Sequence, residues 1–374
     1  MRPPSPDGRA QQPGRRPADD ELESLLYPDE SLGARLWRRS RWIGAQLVVF
    51  VLLTVLSPVM FGLAALTDFV LWLRRRKPAM ATRLLALLWW WLFGELRGLL
   101  GLIGVRLLTL HLRPQVDRRV FRLRRQWLGG HLRGLRWIFG LRFEIDGRQD
   151  VGGGPVVILI RHASTMDTLL PETFAGIEHD LWLRYVLKYE LLNLPTIDIG
   201  RRWVPTVFVR RGYGTTDVEV RRLHALSRDL AADEGLIIYP EGTFYSPTKL
   251  ARAKEIIAAR QPALAPLAAR LRNVLPPRVA GAAALLQATP HADVVIIGHV
   301  GLDAFERPRE VWRGDLVGST VRMKVWRCPA DQVPRDDDAA LARWLYDRWL
   351  ALDDWIEAQR TVTPDVVEIG DQRV

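Results

Sequence analysis

The stretch VVILIRHASTMDTLLP, residues 156–171, carries branched apolar residues up to Arg161 and His162 and reaches Asp167 five positions after the histidine. An imidazole can exchange a proton near neutral pH, and a carboxylate within reach can fix its tautomer and stabilise its protonated form. Spacing alone is not specific. His224 and Asp229 are separated equally within EVRRLHALSRDLAAD, a helical pattern on which positions five apart point ~140° away from each other. His162 instead follows an apolar strand, where the backbone leaves a sheet for a helix, so it can sit on the turn with Asp167 about one turn inside. By itself, His162 reads equally well as a structural histidine at a strand end.

Two later segments offer groups for binding. Arg210 and Arg211 close the strand pattern VPTVFVRRG, where two guanidinium forks could grip a phosphate; a solvated arginine pair is the plain alternative. In IIYPEGTFYSP, Glu241, Gly242 and Thr243 come just past another apolar strand. Glycine there allows close backbone approach to a ligand, while Glu241 and Thr243 offer an acceptor and a hydroxyl. A simple Pro-Glu-Gly turn would use the same residues.

The elements that must position these groups begin near Leu141. Strand-like runs at 155–160, 181–188, 206–211, 235–240, 293–300 and 320–328 alternate with helical patterns. Continuous apolar strands with intervening helices predict an α/β fold, a mostly parallel sheet covered by helices on both faces, with ligands outside the carboxyl ends of the strands. The segment DDDAALARWLYDRWLALDDWIEAQR reads as a packing helix with an aromatic stripe.

Upstream the texture is different. The first residues are rich in Pro, Gly and charge, with little to bury. No charge occurs between Arg41 and Asp68, an interval of ~39 Å at helical rise against ~30 Å of bilayer hydrocarbon. This predicts an N-terminal membrane helix. Residues 84–105 are also apolar but are interrupted by Glu95 and Arg97, so the stretch could be a second span completing a hairpin, a re-entrant arm or an in-plane helix. Basic flanks outside the two segments outweigh the RRRK loop between them, which places both termini in the cytoplasm if both segments cross. Residues 118–140 interleave arginines with Phe, Leu and Trp, suited equally to an anionic membrane surface and to packing on the domain. The expected division is a polar tail over 1–34, an anchoring segment over 35–112, a basic helix over 113–140, a catalytic domain over 141–330 and a C-terminal helix and tail over 331–374.

A net charge of +11 over 374 residues points to a polyanionic partner. No helix-turn-helix, zinc-finger or RNA-recognition signature accompanies it, so no nucleic acid is expected. Cys328 is the only cysteine, which excludes an intrachain disulfide and a clustered thiolate metal site.

Taken in order, the blocks at 161–167, 208–211 and 240–243 resemble those of the glycerolipid acyltransferase family. The family's Asn-His-x-Ser-x-x-Asp is matched by Arg161, His162, Ser164 and Asp167, its Phe-Ile-x-Arg by Phe208, Val209 and Arg211, and its Pro-Glu-Gly-Thr by Pro240 to Thr243. Each block is weak, but three in order are specific. Arg161 stands where asparagine is commoner, and Phe244 where the simplest bacterial members often have arginine. The sequence after the third block looks more like the branch that includes lysocardiolipin and lysophosphatidylinositol acyltransferases.

The resemblance implies acyl transfer from acyl-CoA or acyl carrier protein to a lysophospholipid hydroxyl, with 1-acylglycerol-3-phosphate the first acceptor to consider. His162 would be the base and Asp167 its orienting partner; Arg161, Ser164, Arg210, Arg211, Glu241, Gly242 and Thr243 would bind substrate. No metal or bound cofactor is implied. The expected setting is a membrane, with the catalytic domain on its cytoplasmic face. A catalytically silent membrane scaffold is the alternative from another class.

Overall fold

In a computed structural model of the chain, residues 30–108, 118–201, 203–209 and 217–362 are described. Four long helices come first: α1 (Leu32–Val55), α2 (Ser57–Arg75), α3 (Met80–Leu108) and α4 (Arg118–Phe139). The uncharged interval 42–67 is therefore not one helix as the sequence suggests. It breaks at Leu56, because Pro58 lacks an amide N–H and its ring crowds the carbonyl a turn earlier. Among the described residues α2 and α3 are the helices long and apolar enough to cross a membrane. They form a hairpin in which buried Asp68 caps the start of α3, accepting from Ala81 N and Thr82 N at 2.8 Å each.

Glu95 interrupts α3 in sequence but faces protein. It is 1% exposed, on a surface where Gly94 and Gly98 let α4 come close. A Cβ at Gly94 would lie 2.4 Å from the His131 ring. α4 buries Phe121, Trp127, Leu132, Leu135 and Phe139, and its arginines Arg119, Arg122, Arg133 and Arg136 occupy the exposed side. Of its two sequence readings, packing on the domain accounts for the apolar side.

The remaining elements are β1 (Arg142–Asp146), β2 (Val156–Ile160), β3 (Trp182–Lys188), α5 (Pro195–Gly200), β4 (Thr206–Val209), α6 (Asp217–Ser227), β5 (Glu234–Ile238), α7 (Pro247–Arg260), α8 (Ala265–Arg270), α9 (Val279–Gln287), β6 (Asp293–Val300), α10 (Pro308–Arg313), β7 (Thr320–Cys328) and α11 (Asp338–Val362). The strands form one sheet in the order β1-β7-β6-β2-β5-β3-β4. All pairings are parallel except β6 with β7. This is the mostly parallel, helix-flanked α/β architecture that the sequence predicts.

Alternation along the central strands divides the core in two. Val157, Leu159, Leu236, Val294 and Ile296 pack toward α6, α9 and α11. Val156, Ile158, Ile160, Ile237, Val295 and Ile297 pack toward α4. With both faces covered, each large central side chain is withdrawn from water, worth ~1.5–3 kcal/mol apiece as an upper bound. Strands β2 and β5 are thereby held rigidly, and their carboxyl ends carry the residues that follow.

Candidate active site

Strand β2 ends at Ile160, and Arg161 N still donates to Ile297 O on β6 at 3.1 Å. The chain then turns into a short 3-10 helix, Thr165–Leu169, whose third residue is Asp167. Its carboxylate is fully buried and accepts from both sides. Oδ2 takes Ala163 N at 2.7 Å and Ser164 N at 2.8 Å, capping the turn, and Oδ1 lies 3.1 Å from His162 Nδ1. Such a carboxylate requires a proton on Nδ1, so the lone pair of His162 resides on Nε2.

His299, at the end of β6, stands on the other side of Asp167, with Nε2 3.6 Å from Oδ2 and 3.1 Å from Arg161 O. Burial alone would raise the Asp167 carboxyl, but hydrogen bonds from the two histidines outweigh it and hold the group well below the usual carboxylate range. His162 moves down from its ordinary value. Burial is the largest cause; the Asp167 hydrogen bond and charge oppose it, and the Lys188 and His299 charges add to it. The imidazole is thus neutral at neutral pH, the form a general base needs.

Lys188, the last residue of β3, places Nζ 3.2 Å from His162 Nε2 and 4.2 Å from the centre of the Phe244 ring. Phe244 and Tyr239 flank the imidazole with ring centroids 4.3 and 4.4 Å away. Phe244, where an arginine could have stood, forms a wall against the base.

The first and third sequence blocks are joined directly. Glu241 accepts from His162 N through one oxygen and from Leu275 N through the other, both at 2.9 Å, and Tyr245 N donates to His162 O at 3.1 Å. Burial pushes Glu241 up to about 8, eased by those two backbone bonds. Both its oxygens are committed, so Glu241 braces the histidine's backbone where the sequence suggested a substrate acceptor. Gly242 has φ +67°, and a Cβ there would lie 2.7 Å from Arg278 Nε. Its freedom serves the turn and the seat of Arg278 together.

A cavity of ≈ 1080 Å³ opens here, bordered by His162, Glu241, Gly242, Thr243 and Phe244, with Lys188, Lys249, Arg252 and Arg278 supplying positive charge. Apolar side chains including Leu123, Leu128, Leu169 and Leu187 line much of the remainder, with Arg124, Glu190 and Arg201 interspersed. Such a space suits a ligand with an anionic end and a long apolar part. Thr243 faces it with Oγ1 3.4 Å from Lys249 Nζ.

Arg161 and Ser164 are turned away from it, against the sequence expectation that they bind substrate. Arg161 is fully buried and forks onto Asp303 at 2.5 and 3.1 Å, with further bonds to His299 O and Asn273 O. A side chain committed to four acceptors is a brace. Ser164 is likewise fully buried, at the cap of the 3-10 helix. Arg210 and Arg211 lie outside the described residues; β4 stops at Val209, level with Lys188 in register and on the cavity edge. The second His/Asp pair is not assembled: His224 is exposed on α6, and Asp229 lies beyond the helix's end with φ 54°.

Sequence reasoning missed Lys188, His299 and Arg278. Lys188 ends a strand at the same edge of the sheet as His162, so the rule that selected the histidine could have found it. His299 approaches Asp167 only through the β2–β6 register, and Arg278 only through the fold of the 240–278 segment.

A family model described as Acyltransferase matches residues 142–297. The mouse (Mus musculus) 1-acyl-sn-glycerol-3-phosphate acyltransferase epsilon is 31% identical over 214 residues, 52% of this chain and 55% of its own length. The chain thus spans about half the length of that relative. The crystal structure of the 1-acyl-sn-glycerophosphate acyltransferase PlsC from Thermotoga maritima aligns with a TM-score of 0.43 and 12% identity, over 87% of this chain and all of its own. The matched region encloses the dyad, the Glu241 turn and the strands that carry them, so the likeness to acyltransferases falls on the residues that build the site.

Proposed function

We propose that the protein transfers a fatty acyl group from a thioester, acyl-CoA or acyl carrier protein, to the hydroxyl of a lysophospholipid at a membrane surface. The observation that carries this is His162: a neutral imidazole, oriented by Asp167 at 3.1 Å, with Nε2 at a large apolar cavity that has a basic rim. The acceptor O–H gives its proton to Nε2 as its oxygen attacks the thioester carbonyl. The carbon–sulfur bond then breaks, and the departing thiolate takes the proton from the imidazolium. Asp167 keeps Nδ1 protonated and stabilises the cation throughout, a contribution worth ~10²- to 10⁴-fold. The acceptor must displace the Lys188 ammonium from Nε2, and an anionic headgroup gives that ammonium a new partner. No metal and no resident cofactor enters this chemistry.

1-Acylglycerol-3-phosphate is the first acceptor to test, because the mouse relative is named for it. Lys188, Lys249 and Arg278 on the rim fit its phosphate, and Arg210 and Arg211 remain candidates from sequence. Lysophosphatidylinositol and monolysocardiolipin are the alternatives. Helices α2 and α3 would hold the cavity beside the lipid, with the domain on the cytoplasmic side of the basic flanks.

The test is release of free thiol from acyl-CoA by detergent-purified protein, across these acceptors. Release should require a lysophospholipid, vanish in His162→Ala and persist in His224→Ala. A protein silent with every acceptor and donor would be the scaffold alternative.

A further inference from the structure

We infer that the exposed arginines of α4 bind the phosphates of an anionic leaflet, on which the chain lies side-on, with α1 to α3 sunk in that same leaflet and no helix crossing the bilayer. The inference concerns where the protein meets lipid and is independent of what the site transfers.

α3 is long enough to cross a membrane, but it is fastened to the domain over most of its length. Arg83 donates to Ile138 O at 2.7 Å, Trp90 Nε1 to Gly130 O at 3.1 Å and Arg97 to Gln126 O at 3.0 Å, so α3 runs antiparallel along α4. α4 in turn is tied to β3, where Arg124 donates to Leu183 O at 2.9 Å. Both ends of α3 also touch the domain. The loop before it lies so near α10 that a Cβ at Gly314 would be 2.2 Å from Pro78, and a Cβ at Gly200 would meet Leu102 at 3.8 Å. α1 belongs to the same layer: Arg39 pairs with Asp198 at 2.6 Å, and Trp89 Nε1 donates to Thr54 at 3.0 Å. To span the ~30 Å of hydrocarbon, α3 would have to leave α4 or carry the arginines of α4 with it, and either is expensive.

The chemistry of this layer fits an anionic lipid surface. Its four helices hold sixteen arginines against two acids, Asp68 and Glu95, and both acids are buried. The outer charge of α1 to α4 is therefore all positive. Every exposed position of α4, 118, 119, 122, 126, 133, 136 and 137, falls within one stripe ~100° wide on a 3.6-residue helix. Five of these are arginines, and Trp137 is 84% exposed. On the inner side Arg124 is already paired with Glu172 at 2.9 Å. Beside the stripe, α1 to α3 expose Trp37, Val55, Val59, Leu63, Leu100 and Ile103. Helices lying in a membrane plane divide in this way, with apolar sides in the acyl layer, arginines at the phosphates and indoles at headgroup level. A nucleic acid or an acidic protein would answer the arginines but leave the apolar faces in water.

Two measurements on the full chain test this. Because Cys328 is the only cysteine, Ser31→Cys, Ala79→Cys and Ala251→Cys can each be placed in a Cys328→Ala background, marking the start of α1, the α2–α3 loop and the catalytic domain. In sealed membrane vesicles where Ala251→Cys reacts with an impermeant maleimide from outside, the other two should react from outside as well. Reaction of either only after the vesicles are opened would reveal a crossing and overturn the inference. The second measurement is partition onto vesicles of phosphatidylcholine alone and of phosphatidylcholine with one-third phosphatidylglycerol. The parent should prefer the anionic vesicles about a hundredfold at low salt and less at high salt, as several arginines at a charged surface require. Replacing Arg119, Arg122, Arg133 and Arg136 together by Gln should bring that ratio toward one, with thermal unfolding checking the fold, and the milder pair Arg122→Gln with Arg133→Gln should move it part of the way. Equal partition of the parent, or a ratio that the variants keep, would overturn the inference. So would stripe-dependent capture of acyl carrier protein or duplex DNA in place of anionic vesicles. Neither measurement reads turnover, so failure here leaves acyl transfer standing, and failure of acyl transfer leaves both results standing.

Discussion

Asp167→Asn isolates the orienting carboxylate, because the amide has the same shape and the surroundings dictate how it must sit. Two backbone N–H groups, of Ala163 and Ser164, point at Oδ2 from 2.7 and 2.8 Å. Only the amide oxygen can receive them. The amide NH₂ then takes the place of Oδ1, 3.1 Å from His162 Nδ1, and a donor there demands a lone pair on Nδ1. The single ring proton moves to Nε2, the nitrogen that should receive the acceptor's proton, so the base is blocked and the imidazolium also loses its counterion. A general base contributes ~10²- to 10⁴-fold, and a wrong tautomer removes most of that, so kcat/KM should fall by about 10² to 10⁴. At ~1.36 kcal/mol per decade this is about 2.7–5.4 kcal/mol. The assay is lysophospholipid-dependent thiol release, with circular dichroism confirming a folded protein, since both capping bonds survive. A folded variant within tenfold of the parent would refute the role assigned to the dyad.

The other predictions concern the supports. Gly242→Ala puts a Cβ at φ +67° and 2.7 Å from Arg278 Nε, a strain of ~1–2 kcal/mol before the arginine moves; kcat/KM should drop about tenfold with a small loss of melting temperature. Arg161→Ala leaves Asp303 without its fork, and breaking such a pair is worth ~3–5 kcal/mol, seen as an earlier denaturant midpoint at little change in KM of the folded fraction. Asp303 is held down at about 2, where burial would raise it but the Arg161 charge and hydrogen bonds prevail. Its folded value lies below the unfolded one, so its stabilisation is present above pH ~3.9 and lost as pH falls through about 2; acid titration of stability in the Arg161 variant should lack this limb. Because His162 is pushed below its ordinary value, kcat/KM should be level around neutrality and fall only in acid, as the imidazole takes a proton.

The sheet was legible because central parallel strands are apolar on both faces. The six runs read from sequence correspond to β2 through β7. β1 was not legible: RFEID alternates charged, exposed residues with half-buried ones, as an edge strand does. Its Glu144 and Asp146 pair with Arg322 and Lys324 of β7. The insertion of β7 between β1 and β6, antiparallel to one and parallel to the other, leaves no trace in local composition. Nor did the uncharged interval 42–67 reveal its break, because hydropathy is blind to the backbone consequences of Pro58.

The candidate site was legible to the extent that chemistry follows topology. His162 and His224 have the same aspartate spacing, and what separates them is the end of a buried strand beside one and a helix around the other. Arg161 and Glu241 were singled out for charged groups that a ligand could use, yet burial reverses that inference. The two terminal nitrogens of one and both oxygens of the other are engaged by protein, by Asp303 and two carbonyls for Arg161 and by the amides of residues 162 and 275 for Glu241. A charge at the mouth of a parallel sheet can therefore contact a ligand or hold the residue that does. Lys188 and Arg278 border the cavity, whereas Arg161 does not. The distinction lies in the direction the side chain leaves the turn, and neighbouring residues in sequence do not determine that direction.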